Sequence, residues 1–121
     1  MGETLPRKVR LETGESILKQ SGANLQIGFF IPIGGRLFLT SKRLIFIPGR
    51  FNISPEKPEK VTLTLGSINR VEKKTRDMSN LLAGSFRSRL QVQSRDKLYI
   101  LQVWDLNNWL KALKTAITSA F

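Results

Sequence analysis

The sequence of 121 residues contains neither cysteine nor histidine. Without cysteine, the chain has no disulfide, no thiolate metal site and no cysteine nucleophile. Without histidine, it lacks the usual general base, the commonest transition-metal ligand and any Ser-His-Asp triad. These two absences predict an intracellular protein that uses no metal, no cofactor and no redox chemistry.

Long apolar runs are also missing. The longest candidate, residues 29–33, is interrupted by Pro32 and is far shorter than the roughly 18 residues needed to span a bilayer. Residues 1–16 contain no apolar core of a signal peptide. Gly2 could accept a myristoyl group, but Pro6 stands where that motif requires Ser or Thr. We therefore expect a cytoplasmic protein whose membrane contact, if it has one, is peripheral.

Acidic residues are few, with nine Asp and Glu against 20 Lys and Arg, and the formal charge is +11. Such an excess predicts an anionic partner, which could be lipid headgroups, nucleic acid or an acidic protein surface. The acids also form no convincing catalytic pair: Glu56 and Glu59 belong to a charged loop, and Asp96 and Asp105 to turn and cap positions. The sequence predicts no catalytic residue and no enzyme.

The most regular pattern lies in residues 34–52, GGRLFLTSKRLIFIPGRFN. Apolar and other residues alternate with period two on both sides of a polar turn at residues 40–43, which is typical of a β-hairpin. Pro48 and Gly49 end the second strand. The hairpin is therefore the element around which we expect the fold to form.

Further patterns extend this prediction along the chain. A bent first strand is predicted at residues 16–27 with a bulge or close backbone approach at Gly22, and later strands at residues 61–65, 68–74, 86–93 and 98–103. From Leu106 onward, apolar residues recur at helical spacing and predict an amphipathic helix. We expect a loosely ordered arm at residues 1–14 and one domain at 15–121.

The run Gly35-x-Leu37-x-Leu39-Thr40-x-x-Arg43-Leu44-Ile45-Phe46 resembles the signature of the GRAM family. Further matching pieces are Glu15-x-Ile17-Leu18, Ser21-Gly22-Ala23-Asn24, Phe51-Asn52-Ile53, Leu101-x-Val103 and Trp109-Leu110. The resemblance covers roughly residues 15–113. It implies a mainly β, PH-like barrel of about seven antiparallel strands in two crossed sheets, capped by a C-terminal helix. It says less about function, which has to be argued from a site.

PH domains that bind phosphoinositides use a basic cluster on the first two strands beside an apolar loop. By resemblance, Lys19 and Arg36 could belong to such a cluster, and Phe29 and Phe30 to a membrane-inserting loop. The pattern departs at Phe38, where the PH motif has a second arginine. Lys42, Arg43 and Arg50 add positive charge to the hairpin, which contains no acid. This predicts peripheral binding to anionic lipid.

Two alternatives remain open at the level of sequence. The same apolar loop, together with Phe38, could hold a protein partner or a second copy of the chain, with arginines at the rim. The apolar residues of this loop, Phe29, Phe30, Ile31 and Ile33, could instead extend the first strand or fill the end of the barrel. Light scattering tests self-association.

A second basic array, Arg87, Arg89, Gln91, Gln93 and Arg95, alternates with apolar residues and should share one strand face. Nucleic-acid platforms interleave aromatic residues with such charges, and this face has almost none. The pattern therefore disfavours nucleic acid and indicates a solvated face that discourages edge pairing.

Overall fold

The computed structural model describes residues 10–27, 33–49, 60–74 and 89–120, without the side chains of residues 27 and 74. Seven strands precede one helix. The strands are β1 Ile17–Ile27, β2 Ile33–Thr40, β3 Arg43–Pro48, β4 Val61–Thr64, β5 Ile68–Lys74, β6 Arg89–Ser94 and β7 Lys97–Gln102. A short 3-10 helix, Leu65–Ser67, connects β4 to β5, and the α-helix α1 spans Leu106–Ser119.

All seven strands belong to one antiparallel sheet in the order β4-β3-β2-β1-β7-β6-β5. The eleven-residue strand β1 joins the two halves, because it pairs with β2 from Ile17 to Leu25 and with β7 from Asn24 to Ile27. The predicted mainly β fold with seven antiparallel strands and a C-terminal helix is confirmed. In place of two separate sheets, the described strands form one continuous sheet through β1.

The β2–β3 hairpin forms as predicted, with Leu37 opposite Phe46 and Leu39 opposite Leu44. These four side chains are buried in the main core. Their alternating neighbours face the other side of the sheet, where Phe38 and Ile45 form a second cluster. Phe38 is only 1% exposed. The expectation that Phe38 contributes to a partner interface is therefore wrong, because its ring already packs inside the protein.

Two strands contain register shifts. In β1 the shift falls between Ile17 and Lys19, so the bulge lies at Leu18 and not at Gly22, where the sequence predicted a bulge or a close backbone approach. Leu18 is left 53% exposed by this bulge. In β5 the shift falls between Ile68 and Arg70, where the sequence departs from strict alternation. An extra residue bends a strand and strengthens its twist, which helps the sheet enclose its core.

The last hairpin and α1 complete the core. The β6–β7 turn lies at residues 95–96, between the strands predicted at residues 86–93 and 98–103, with Arg95 at φ 59°, a left-handed conformation that tight turns accommodate. On α1, the side chains of Trp109, Leu113 and Ala116 are buried, in agreement with the helical spacing of apolar residues. No helix in the described ranges is long and apolar enough to cross a membrane.

Candidate functional site

A buried ion pair joins the segment before β1 to the β2–β3 turn. Arg43 Nη2 donates to Glu15 Oε1 at 2.7 Å, and Arg43 Nε donates to Glu15 Oε2 at 2.9 Å. The Thr40 hydroxyl donates to the same carboxylate, and the backbone amide of Glu12 donates to Oε1 at 2.8 Å. The side chain of Glu15 has no exposed surface. Four donors therefore replace the water that burial removes from this carboxylate.

The hydroxyl of Thr40 also shapes the turn. It accepts hydrogen bonds from the backbone amides of Lys42 and Arg43 at 3.0 and 2.8 Å. Arg43 Nη2 in addition donates to the carbonyl oxygen of Arg10 at 2.8 Å. Glu15, Thr40 and Arg43 are all residues that carry the GRAM resemblance. At these positions the motif therefore has a structural role, because its side chains fasten the hairpin to the start of the domain.

The pKa values agree with this role. Hydrogen bonding from Arg43 lowers the pKa of Glu15 from 4.5 to about 2, although burial alone would raise it. The same contact raises the pKa of Arg43. Both groups are charged at neutral pH, and the guanidinium of Arg43 is directed mainly toward Glu15.

Lys19 is directed toward the start of α1. Its Nζ donates to Asp105 Oδ2 at 2.9 Å and lies 5.6 Å from the centre of the Trp109 ring. Hydrogen bonding from Lys19, with a further contribution from Asn108, lowers the pKa of Asp105. Trp109 is fully buried and donates from Nε1 to the Ser21 hydroxyl at 3.0 Å. Lys19 therefore helps to connect β1 to the helix.

Arg36 and Lys42 are both exposed, but they lie far apart. Arg36 is opposite Gly22 of β1 and opposite Ile47 of β3, near the beginning of β2. Lys42 follows the end of β2, so at ~3.3 Å per strand residue the two are separated by roughly 15 Å or more. Lys42 Nζ donates to the carbonyl of Thr13 at 3.0 Å, and a carboxylate oxygen of Glu12 is 3.7 Å away. The predicted basic residues therefore do not form one compact cluster.

Three of the predicted site residues, Phe29, Phe30 and Arg50, lie outside the described residues. Their assignment as binding residues stays a prediction. The same holds for the choice between an exposed apolar loop and one that fills the end of the barrel.

The basic array on β6 differs from its prediction. Arg89 is only 6% exposed, and its Nη1 donates to Gln26 Oε1 at 3.3 Å. Its Nε is buried without a hydrogen-bond partner. The argument from edge pairing is wrong for this strand, because β6 pairs with both β5 and β7 and is not at an edge. Arg87 lies outside the described residues.

Most described acids are already neutralised by a base. Four ion pairs involve Glu12, Glu15, Glu72 and Asp105, which leaves Asp96 as the one acid without an ion pair in the described ranges. Several exposed basic residues form no ion pair with a described residue: Arg36, Lys73, Arg95, Lys97, Lys111 and Lys114. The surface therefore carries positive charge that its own acids do not compensate. No group of three or more potential metal ligands is found in these ranges.

Sequence reasoning missed a cleft of about 320 Å³ beside β1. Its lining includes Gly22, Asn24, Gln102 and Trp104, and we call it the Trp104 cleft. Trp104 is 84% exposed. A sequence signal for it is Gly22, a glycine in the middle of a strand, which predicts a bulge or a close backbone approach.

The order of strands and the terminal helix define a PH-like domain. A solved structure titled "Vps36 N-terminal PH domain" is similar over 92% of this chain and 85% of that chain, with a TM-score of 0.67 and 20% identity. A second, titled "Crystal structure of the C-terminal domain of an unknown protein from Leishmania infantum", covers 88% of this chain and 87% of that chain, with a TM-score of 0.65 and 17% identity. At these identities the likeness supports the fold.

The model of the GRAM domain family matches residues 5–99, and the chain belongs to this family. No curated protein matches the sequence. GRAM and PH-like domains are typically modules that bind membranes, lipids or proteins, and they are generally non-catalytic.

Proposed function

We propose that this chain is a non-catalytic module that binds the anionic surface of a membrane peripherally. The observation that carries the proposal is the acid-free outer face of β1 and β2. On β1 this face consists of Leu18, Gln20, Gly22, Asn24 and Gln26, and opposite Gly22 stands the exposed Arg36. A cation that no nearby acid neutralises is available to an anionic headgroup.

The wider charge distribution supports the same function. Because the described acids other than Asp96 are already paired, each remaining exposed lysine or arginine adds to a positive field that reaches about 8–10 Å at physiological salt. Near an anionic membrane surface, each such residue contributes on the order of 1 kcal/mol. Several of them together attract the chain to an anionic membrane surface without requiring a single deep pocket.

The predicted site residues contribute unequally in this proposal. Arg36 and Lys42 are the exposed cations of the hairpin, with Lys42 partly compensated by Glu12. Lys19 and Arg43 act indirectly, because Asp105 and Glu15 already occupy their charged groups. Phe29 and Phe30 remain predicted residues of the apolar loop, and Arg50 remains a predicted basic residue of the site.

The test is flotation with vesicles of phosphatidylcholine alone and with phosphatidylserine added, at low and high salt. Binding should require the acidic lipid and should weaken with salt. Arg36→Gln should lower the affinity about fivefold, which corresponds to ~1 kcal/mol. Lys114→Gln removes the same charge from the exposed side of α1 and is the matched control. It should lower the affinity for acidic vesicles less than Arg36→Gln does.

Equal and negligible recovery with both types of vesicle at low salt would overturn the proposal. A chain that ignores vesicles but sediments as a dimer at high concentration would point instead to the protein-interaction alternative.

A further inference from the structure

A groove of about 410 Å³ lies between α1, the beginning of β1 and the β2–β3 turn. We call it the Leu18 groove, after the residue that forms its wall on β1. Leu18 is 53% exposed, because the bulge between Ile17 and Lys19 turns it away from the core. It belongs to neither hydrophobic cluster of the described residues. An apolar side chain is therefore left uncovered beside a recess.

Hydrogen bonds fix the walls of the groove. The backbone amide of Ser41 donates to the carbonyl oxygen of Ser16 at 2.9 Å, and the amide of Ser16 donates to the Ser41 hydroxyl at 3.1 Å. On the other side, Lys19 is bonded to Asp105, which immediately precedes α1. The turn and the helix are thus both attached to β1 on either side of Leu18. A groove that is already formed costs less free energy to occupy than one that is ordered on binding.

The wall on α1 has the spacing of a helix-packing surface. Its residues form two neighbouring rows with i, i+4 spacing: Asn108, Ala112 and Ala116, and Lys111, Thr115 and Ser119. Rows of this kind are the ridges between which a second helix packs, and short side chains in them let its backbone approach closely. The wall is roughly 16 Å long, which corresponds to about three helical turns.

The charge beside the groove is positive. Lys111 lines it, and Lys114 lies one turn further along α1. Neither lysine forms an ion pair with a described residue, and residues 106–120 contain no acid. A ligand that carries carboxylates therefore meets complementary charge here. A second copy of the chain would bring the same lysines to this surface, and like charges oppose that pairing.

The shape of the groove also selects its ligand. A recess receives something that protrudes, and the apolar ridge of an amphipathic helix is the form in which proteins fill such grooves. The surface of a membrane is flat on this scale and would leave the recess empty. Shape and charge therefore favour the same occupant.

We infer that the Leu18 groove binds an acidic amphipathic helix of a partner protein, with the apolar ridge of that helix against Leu18 and Ala112 and its carboxylates at Lys111 and Lys114. The inference goes beyond the proposed membrane binding and does not depend on it, because Arg36 does not line this groove.

The probe is a displayed library of peptides of about 16 residues, enough for roughly four helical turns. Leucine is fixed at the i, i+3, i+4 and i+7 spacing of an apolar helix face, and every other position varies among Glu, Gln, Lys and Ala. The library is selected on the full chain and, in parallel, on the Leu18→Gln variant. Selection on the natural chain should enrich peptides rich in Glu, and their binding should weaken with salt.

A selected peptide is then titrated by fluorescence anisotropy. Leu18→Gln should lower its affinity about tenfold, and Lys111→Gln about threefold. The matched controls are Leu98→Gln and Lys97→Gln, since both residues are exposed on β7 and do not line the groove. Both controls should leave the affinity unchanged. Circular dichroism melts check that the variants are folded, and Lys111→Gln still tests the groove if Leu18→Gln unfolds the chain.

The outcomes separate the groove from the membrane surface. Failure to enrich any peptide over the Leu18→Gln variant, enrichment of neutral or basic peptides, or equal losses in the controls would overturn the inference. So would a dimer that Leu18→Gln dissociates, which would assign the groove to a second copy, or vesicle recovery that falls as much in Leu18→Gln as in Arg36→Gln. Absence of binding to acidic vesicles, with peptide binding retained, would overturn the proposed function and support the groove.

Discussion

The carboxylate of Glu15 and the guanidinium of Arg43, 28 residues apart in sequence, are joined by two hydrogen bonds of 2.7 and 2.9 Å. Arg43 begins β3, and Glu15 precedes β1, so the pair fixes the start of the first strand beside the turn of the central hairpin. Arg43, which the sequence predicted to be a lipid-binding residue, therefore stabilises the fold.

Breaking this pair should be strongly destabilising. Glu15→Gln leaves the Arg43 guanidinium largely buried without its counter-charge, and such changes cost ~3–5 kcal/mol. The control is Lys42→Gln. Lys42 is next to Arg43 in the sequence but exposed, and its Nζ lies 3.7 Å from Glu12 Oε1, so its replacement should cost about 0–1 kcal/mol. Urea denaturation measures both. A loss of less than about 1 kcal/mol in Glu15→Gln would show that the pair is not important for stability.

Stability should also depend on pH through Glu15. Its pKa is depressed in the folded state from 4.5 to about 2, so its contribution is fully present above pH 4.5 and disappears as the pH falls toward 2. The contribution is on the order of 3 kcal/mol, since one pKa unit corresponds to about 1.4 kcal/mol. Thermal melts between these pH values should show a steep decline for the natural sequence and a shallower one for Glu15→Gln. If the melting temperatures of both proteins fell equally with pH, Glu15 would not be the source of the pH dependence.

Two glycines on neighbouring strands should respond differently to alanine. At Gly35 an added Cβ would lie 2.2 Å from the carbonyl oxygen of Ile47 and 2.9 Å from the Cα of Pro48. Because these are backbone atoms, Gly35→Ala should cost about 3 kcal/mol or more. Gly22→Ala should change stability by no more than about 0.5–1 kcal/mol, in either direction. Similar melting temperatures for the two variants would contradict this account of Gly35.

Replacing the two tryptophans should also have different effects on stability. Trp109 is fully buried and hydrogen-bonded to Ser21, so Trp109→Ala should cost about 3–5 kcal/mol. Trp104→Ala, at an exposed position, should change the free energy of unfolding by about 0.5 kcal/mol or less. Chemical denaturation followed by circular dichroism compares them without relying on tryptophan emission. A large loss in Trp104→Ala would mean that this ring supports the core.

Local patterns predicted the elements well for a physical reason. Period-two alternation in Leu37, Leu39, Leu44 and Phe46 reflects the pleat of a strand, and helical spacing around Trp109 reflects one buried helix face. Both signals arise from neighbours along the chain. They also predicted the two strands on either side of the β6–β7 turn.

Local sequence patterns did not predict the contacts between residues far apart in the chain. Nothing near Arg43 in the sequence indicates that Glu15 binds it, and nothing near Lys19 indicates Asp105, since 86 residues separate that pair. The burial of Phe38 and Arg89 likewise depends on the tertiary packing around each side chain. These contacts decide which basic residues are available to a ligand.

The sequence alone therefore determined the family, the strand and helix pattern and the excess of positive charge, because composition and periodicity record which faces must be buried. Only the tertiary structure decided how the charges are used. Folding brings Glu15 to Arg43 and Asp105 to Lys19, and leaves Arg36 exposed opposite Gly22, beside the cleft that Trp104 lines. Whether a cation is structural or available depends on which acid lies within hydrogen-bonding distance, and the chain sets that distance only when it folds.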